Sequence, residues 1–377
     1  MRDDELAALA ERAREVAPAF APGREVRAVA PLGSGHIHAT LRVALAGAGP
    51  DLVLQSLNEH VFPDVGALMA NVERVTAHLR ARAPRDGDER AVLRVVRAAD
   101  GALVARDAAG TAWRAFVYAR GTFAIDVVPT DELAFRTARA FGAFAAALAD
   151  LDPASLALPI PGFHDLAGRL AQLERAVAAD RVGRLRDVGE ELARARSLGA
   201  EVGAALDASG ALALPARPVH NDCKINNLLF DEATREPVCV VDLDTVMPGT
   251  LLADFGELVR TATCRAAEDE RDLALVDFDA ARFDALARGY VEGLGGAASD
   301  GERDALWLGG PWMALENAVR FLADHLDGDR YFRPRRPDHN LHRTRAQLHL
   351  AEQLWRSRDA LRETLARAAG KGARAGR

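Results

Sequence analysis

The sequence predicts an α+β fold in two parts, a small antiparallel-sheet lobe followed by a larger helical lobe. Short alternating or apolar runs, separated by Gly-rich breaks, crowd the first third of the chain. After Gly121 helical periodicity takes over, and only one short strand pair, 227–230 with 238–243, interrupts it. The 377 residues suffice for two modest domains with buried cores.

Residues 3–17 read as an amphipathic helix with acids in its first turn, ended by Pro18, Pro22 and Gly23. Segments 26–32, 39–46 and 51–57 read as strands of an antiparallel sheet. Over 64–82 a helical period places Val65, Leu68, Met69, Val72, Val75 and Leu79 on one face. Strands are expected at 91–97 and 112–118, with a hinge around Val117–Arg120, so that the lobes are 1–118 and 119–377. Thr130 caps a helix that begins Asp131-Glu132 and carries Leu133, Phe141, Phe144 and Leu148 inward. Residues 163–208 read as a charged helical hairpin, and everything from Asp254 onward reads as helix until a basic, Gly/Ala-rich tail frays after Glu363.

Composition narrows the function. Hydrophobic content of 49% and charged content of 27% fit a soluble globular protein. A net charge of −7 lacks the basic footprint that nucleic acid requires. Cys223, Cys239 and Cys264 form neither a disulfide framework nor a metal-ligand spacing, which fits a reducing cytoplasm. No signal peptide and no membrane-spanning apolar run is visible. Of 48 basic residues only Lys224 and Lys371 are lysines, so a lysine inside a motif is informative.

That motif is 219–245, VHNDCKINNLLFDEATREPVCVVDLDT. Phosphoryl transfer needs a carboxylate for the acceptor proton, hard oxygen ligands for Mg²⁺, and a cation near the transferring group. Asp222 supplies the first, Asn227 and Asp242 the second, and Lys224 the third, in a D-x-K-x-x-N pattern with a downstream Asp. The bland alternative, polar loop residues capping turns, accounts for any one of these but not for their convergence. Asp244 either binds metal or holds the loop. Upstream, Gly33-Ser34-Gly35 sits between two expected strands, where backbone N–H groups can approach phosphates. Val117 and Tyr118 at the hinge offer backbone groups to adenine, whereas Trp113 and Phe116 read as core. His220 reads as loop support, Glu73 as an exposed helical acid, and Arg333, Arg335 and Arg336 as solvated surface.

These segments, with GSGHIH (33–38), VLQSLN (53–58), VFPDVGALMANVERVTAHL (61–79), HNDCKINNLLF (220–230), VVDLDTVMPG (240–249), DFGELVR (254–260) and RFLADHLDGDRYF (320–332), resemble the aminoglycoside phosphotransferase and choline kinase superfamily, nearest its N-acetylhexosamine 1-kinases. The resemblance implies a bilobal protein-kinase-like fold, ATP and Mg²⁺ as cofactors, and a small-molecule sugar acceptor phosphorylated at its anomeric hydroxyl. It implies Asp222 as base, Asn227 and Asp242 as metal ligands, and Arg320, Tyr331 and His36 beside Asp222 toward the acceptor. A monomer or weak homodimer is expected. Two positions depart from the pattern: Gln55 stands where a phosphate-binding lysine of the third strand is usual, and His38-Ala39 replaces an expected Asn-Asp. Asp254-Phe255-Gly256 imitates the metal-binding tripeptide of protein kinases, but Asp242 already holds that place, so Asp254 is expected to cap a helix, with support of the catalytic loop as the alternative.

Three other readings compete. A phosphatase with Asp242 as nucleophile would need an α/β sheet after it and a later basic residue, and the chain is helical there. A nucleotide-binding protein without turnover draws only on the missing third-strand lysine. An aminoglycoside, a different sugar or an amino alcohol as acceptor keeps the chemistry, but the arginine-rich 320–336 segment disfavours a polycation.

Overall fold

The computed structural model describes residues 3–33, 37–84 and 87–370. Contacts divide the chain into two compact units. The first comprises Met1–Ala124, Ala154–Pro161 and Leu228–Met247, and the second Ile125–Pro153, Gly162–Asn227 and Pro248–Arg377. The division at 118 and 119 expected above follows chain order, whereas the contact grouping returns the second strand pair to the first unit.

The first unit opens with α1 (Asp3–Phe20), which runs through Pro18 rather than stopping there. Proline removes one N–H, but the ladder resumes where the Ala21 N–H donates to the Ala17 carbonyl at 2.9 Å. Val16, Ala17 and Phe20 keep the last turn packed on the sheet. The strands β1 (Val26–Pro31), β2 (Ala39–Leu45) and β3 (Leu52–Ser56) form as expected, followed by α2 (Val65–Arg82). Asp64 caps α2, accepting the Ala67 N–H at 2.8 Å. The expected strand at 91–97 shrinks to β4 (Val95–Val96), because only these two residues pair with β6. The sequence reading missed β5 (Ala105–Arg106). With β6 (Ala112–Val117) the sheet order is β1-β2-β3-β6-β4, with β5 also on β6. Fully buried Leu41, Val43, Leu54, Trp113 and Ala115 make the core against α1. A second sheet, β10-β9-β7, joins β7 (Thr122–Phe123), β9 (Leu228–Asp231) and β10 (Pro237–Val240). The sequence reading missed β7, which is too short for a periodic signal.

The second unit is helical, with α3 (Asp131–Ala147), α4 (Leu166–Ala179), α5 (Gly189–Ser209), α6 (Leu251–Ala262), α7 (Ala280–Leu294), α8 (Asp300–Ala305), α9 (Gly309–Asp327), α10 (His339–Arg356) and α11 (Arg358–Ala368). Short strands β8 (Arg217–Val219) and β11 (Met247–Gly249) were also missed by the sequence reading. Thr130 caps α3 as expected, accepting the Leu133 N–H at 3.2 Å. The charged hairpin is α4 and α5. The expected fraying after Glu363 does not occur before Ala368, since Leu361 and Leu365 are buried. Backbones touch where α6 meets α9: a Cβ on Gly256 would lie 2.3 Å from the Gly309 carbonyl oxygen. This close approach fixes α6, which carries Asp254, on α9, which carries Glu316, Arg320 and Asp324.

Candidate active site

The loop after β8 belongs to the second unit and gathers three of the expected groups. The Lys224 ammonium stands 2.9 Å from Asp222 Oδ2. Asn227 donates through Nδ2 to the Asp222 carbonyl at 2.8 Å and to Oδ2 at 3.1 Å. Both acceptors lack a proton to give, so the amide orientation is fixed and Oδ1 is the oxygen left for another partner. Burial alone would raise the Asp222 pKa, but the Lys224 charge and hydrogen bond, with Asn227, bring it below the ordinary value. The Lys224 pKa is raised: burial opposes its charge and the Asp222 carboxylate overcomes that. At neutral pH the loop thus presents an ionised carboxylate beside an ammonium.

Two buried acids hold this loop, and the sequence pointed to only one. Asp254 Oδ2 accepts the His220 N–H at 3.0 Å, and Oδ1 accepts the Asn221 N–H at 2.6 Å. The expected helix cap is therefore corrected. Asp254 lies one turn inside α6, wholly buried, and serves the loop instead of its own helix. Burial raises its pKa, and the donated N–H groups offset only part of that. Phe255 fills the core and Gly256 makes the α9 contact, so the whole imitative tripeptide is structural. His220 is buried edge-on to Phe141 and Phe144, the support role expected for it.

The second acid works through a histidine that the sequence reading did not single out. His164 donates from Nε2 to the Asn221 carbonyl at 2.9 Å, and its Nδ1 lies 3.0 Å from Glu316 Oε1 on α9. Trp312 Nε1 donates to the other Glu316 oxygen at 3.0 Å. Asn221, at φ 63°, is thus gripped on both its N–H and its carbonyl, which fixes the peptide leading into Asp222. Burial pushes the His164 pKa down, but Glu316 outweighs it and the net direction is up. A raised folded-state pKa means that the contribution to stability is complete below the ordinary histidine value and fades as pH rises through the raised one. The melting-temperature advantage of the native protein over His164→Gln is therefore expected to shrink as pH rises from about 6 toward 9. An advantage that is constant or grows over that range, measured by thermal unfolding, would show that the imidazolium is not the stabilising form.

The other expected metal ligand lies in the first unit. Asp242 is not on a strand; it follows the end of β10 in the left-handed region, at φ 59° and ψ 56°, and is exposed. Asp244, two residues on, is buried. Arg114 Nη2 donates to its Oδ2 at 2.7 Å, Arg114 Nη1 donates to Oδ1, and His38 Nε2 lies 2.7 Å from Oδ2. Burial would raise the Asp244 pKa, but Arg114 and His38 hold it far below the ordinary carboxylate range. Arg114 Nε also donates to Gln55 Oε1 at 2.8 Å, and Gln55 Nε2 donates to Thr40 Oγ1 at 2.9 Å. Gln55, at the place of the usual lysine, is thus bound to a buried arginine directly opposite it on β6.

The remaining expected residues are more scattered. Gly33 has φ 75°, a conformation that favours glycine; Ser34, Gly35 and His36 lie outside the described residues. The Val117 N–H donates to the Arg94 carbonyl and the Tyr118 N–H to the Asp51 carbonyl, both at 2.9 Å. Neither amide proton is available to adenine, so a base contact here would use other groups. Trp113 and Phe116 are core, and Glu73 pairs with Arg97. In the second unit Arg320 packs over Phe163 at 5.6 Å, Phe332 at 5.3 Å and Tyr331 at 6.0 Å. Asp324 accepts the N–H groups of Arg330, Tyr331 and Phe332 at 2.8–2.9 Å, which fixes the loop bearing half-exposed Tyr331.

Among the described residues no cluster of three or more His, Cys, Asp or Glu side chains could hold a metal by itself. Mg²⁺ does not ask for one, because it keeps waters and phosphate oxygens. An amide oxygen left over at Asn227 and an exposed carboxylate at Asp242 are hard donors of the right kind.

Comparison with known proteins agrees in fold and family. The chain resembles an aminoglycoside phosphotransferase from Alicyclobacillus acidocaldarius, 14% identical over 91% of this chain and 93% of that one, with TM-score 0.56. It resembles a microcompartment-associated aminopropanol kinase, 16% identical over 99% of each chain, with TM-score 0.55. The GDP complex of aminoglycoside 2'-phosphotransferase-IIIa is 13% identical over 94% of this chain and 98% of that one, with TM-score 0.57. These likenesses show the protein-kinase-like α+β fold. The model of the phosphotransferase enzyme family, APH, matches residues 28–294, a span that contains the Asp222 loop, its Asp254 brace and Asp242. The chain belongs to the phosphotransferase enzyme family.

Proposed function

We propose that the chain is an ATP- and Mg²⁺-dependent kinase for a sugar hydroxyl, most specifically the anomeric hydroxyl of an N-acetylhexosamine (GlcNAc or GalNAc). The observation that carries the reading is the braced trio of Asp222, Lys224 and Asn227. Asp222 orients the acceptor hydroxyl and takes its proton. Its pKa lies below the ordinary carboxylate value, so it is ionised at neutral pH, and its main work is orientation, as suits a loose phosphoryl-transfer transition state. Lys224 offsets charge that builds on the transferring group. A new bond forms between the acceptor oxygen and the γ-phosphorus, the bond to the bridging oxygen breaks, and ADP leaves. Asn227 and Asp242 would hold Mg²⁺, which when bound neutralises phosphate charge.

The acceptor class draws on a second-unit feature. Arg169 donates to Gln172 and to the Phe163 carbonyl, both at 3.2 Å, while Arg320 packs on the Phe163 ring. Burial and the Arg320 charge hold Arg169 below the ordinary guanidinium value. Among the described residues neither arginine has a carboxylate partner, and Phe163 adjoins His164 of the loop brace. Such surroundings repel a polycation and suit a hydroxyl-rich neutral or acidic acceptor. Aromatic faces beside them suit a sugar ring. Kinases of aminoglycosides and amino alcohols share the fold, and they are the acceptors to exclude.

The test is ADP release with Mg²⁺-ATP over GlcNAc, GalNAc, glucose, galactose, choline and kanamycin, with the product identified by phosphorus NMR. Turnover of GlcNAc or GalNAc to the 1-phosphate is the expected result. Turnover of kanamycin or choline alone would replace the acceptor and keep the chemistry. Bound nucleotide without turnover of any acceptor would favour a non-catalytic nucleotide-binding protein.

A further inference from the structure

We propose that Arg114, Asp244 and His38 form a fixed anchor that positions Asp242, making Arg114 a positioning residue and leaving Asp244 outside the metal's ligand set. The inference rests on the reading of Asp242 as the metal ligand.

Asp244 has no oxygen to spare. Oδ1 takes Arg114 Nη1, and Oδ2 takes both Arg114 Nη2 and His38 Nε2, each at 2.7 Å. The pairing is bidentate, the strongest geometry that a guanidinium and a carboxylate make. Metal ligation by Asp244 would compete with it and weaken the charge that faces Arg114, which is 1% exposed. The same burial keeps Arg114 from reaching a phosphate itself.

Each member of the anchor is held by an independent element. Gln55 on β3 accepts from Arg114 Nε at 2.8 Å, fixing the plane of the guanidinium. A lysine at this position has no acceptor to offer and would add a second cation facing one carboxylate, which explains why a glutamine stands there. His38 accepts the Asn58 N–H at Nδ1, 3.1 Å away, so its proton sits on Nε2 and is donated to Asp244. Beyond Asp244, Asn71 on α2 donates to the Val246 carbonyl at 3.2 Å. Residues 244–246 are therefore tied to β2's approach, β6 and α2 at once.

Asp242 needs this. A non-glycine residue at φ 59° is in a sparsely populated conformation and persists only where its surroundings over-determine it. Leu243, buried in the core, and Asp244, clamped, supply that determination on the downstream side. The conformation in turn sets where the exposed Asp242 carboxylate stands.

The experiment titrates Mg²⁺ against binding of a fluorescent ADP analogue and against turnover, in the native protein and in Arg114→Lys, Asp244→Asn, His38→Gln and Arg114→Lys/Asp244→Asn. Lysine cannot reproduce the bidentate fork. Arg114→Lys and Asp244→Asn are each expected to raise the half-saturating Mg²⁺ by about 10–100-fold, as loss of a ligand's support does. Metal-free nucleotide affinity should be unchanged, and the double variant should be no worse than the larger single effect. A folded Arg114→Lys with native Mg²⁺ dependence, beside a shifted Asp244→Asn, would make Asp244 a ligand and overturn the proposal. If Arg114→Lys does not fold, His38→Gln decides: it keeps the Arg114 pair, and an unshifted Mg²⁺ requirement there counts against the anchor. A native protein with no Mg²⁺-dependent nucleotide binding would instead overturn the reading of Asp242, and this inference with it.

Discussion

Asp222→Asn is expected to lower kcat by about 10²–10⁴-fold, the range for loss of a positioned proton acceptor, while nucleotide affinity stays at its native value. The substitution preserves size and can still accept from Asn227, so the loop should keep its course. It removes the carboxylate bound to the Lys224 ammonium, and it cannot take up the acceptor proton. The effect should fall on kcat and kcat/KM alike, because the lost interaction belongs to the reacting hydroxyl. Steady-state kinetics with a nucleotide-binding titration checks it. An Asp222→Asn enzyme with native kcat would remove the base assignment and leave the ammonium and the metal-binding groups to carry the reaction.

What the sequence disclosed was local. Strands β1 to β3, helix α2 and the Thr130 cap of α3 all rest on periods or contacts a few residues long. The grouping of Asp222, Lys224 and Asn227 was legible because the three sit close together on one loop. The supports were not. Arg114 and Asp244 are 130 residues apart, and His164 and Glu316 are 152 apart. No spacing rule links such pairs. A weaker cue existed in each case. Arg114 interrupts the apolar run AWRAFV, and Glu316 interrupts the apolar stretch WMALENAV. A charged or amide group at a position that the period assigns to the core must have a buried partner somewhere. Two-residue strands such as β5 and β7 carry no periodic signal, since pairing with a longer neighbour alone defines them. Pro18 misled for the opposite reason: a single strong local signal was overridden by the packing of Phe20.

The largest effect on the loop itself is expected at Asp254→Ala. The carboxylate accepts two buried backbone N–H groups, from His220 and Asn221, and the Cys223 thiol is a third donor to it. Each stranded buried N–H costs about 1–3 kcal/mol. Together they would take a large share of a marginal stability of roughly 5–15 kcal/mol. Asn221 would lose the acceptor of its N–H and keep the His164 bond to its carbonyl, and the left-handed turn at φ 63° would lose part of the grip that enforces it. The peptide into Asp222 would then wander, and a shift of about 1 Å at the reacting group costs on the order of 10²-fold in rate. Asp254→Ala should therefore lose both melting temperature and kcat. Asp254→Asn should fall between it and the native protein, because one amide oxygen still accepts one N–H while its NH₂ faces the other. That ordering separates a hydrogen-bond brace from a buried charge: were the charge itself the useful feature, Asn and Ala would be equally poor. An Asp254→Ala enzyme with native unfolding temperature and native kcat would mean that the two N–H groups find other acceptors and that the loop is held from the His164 side alone.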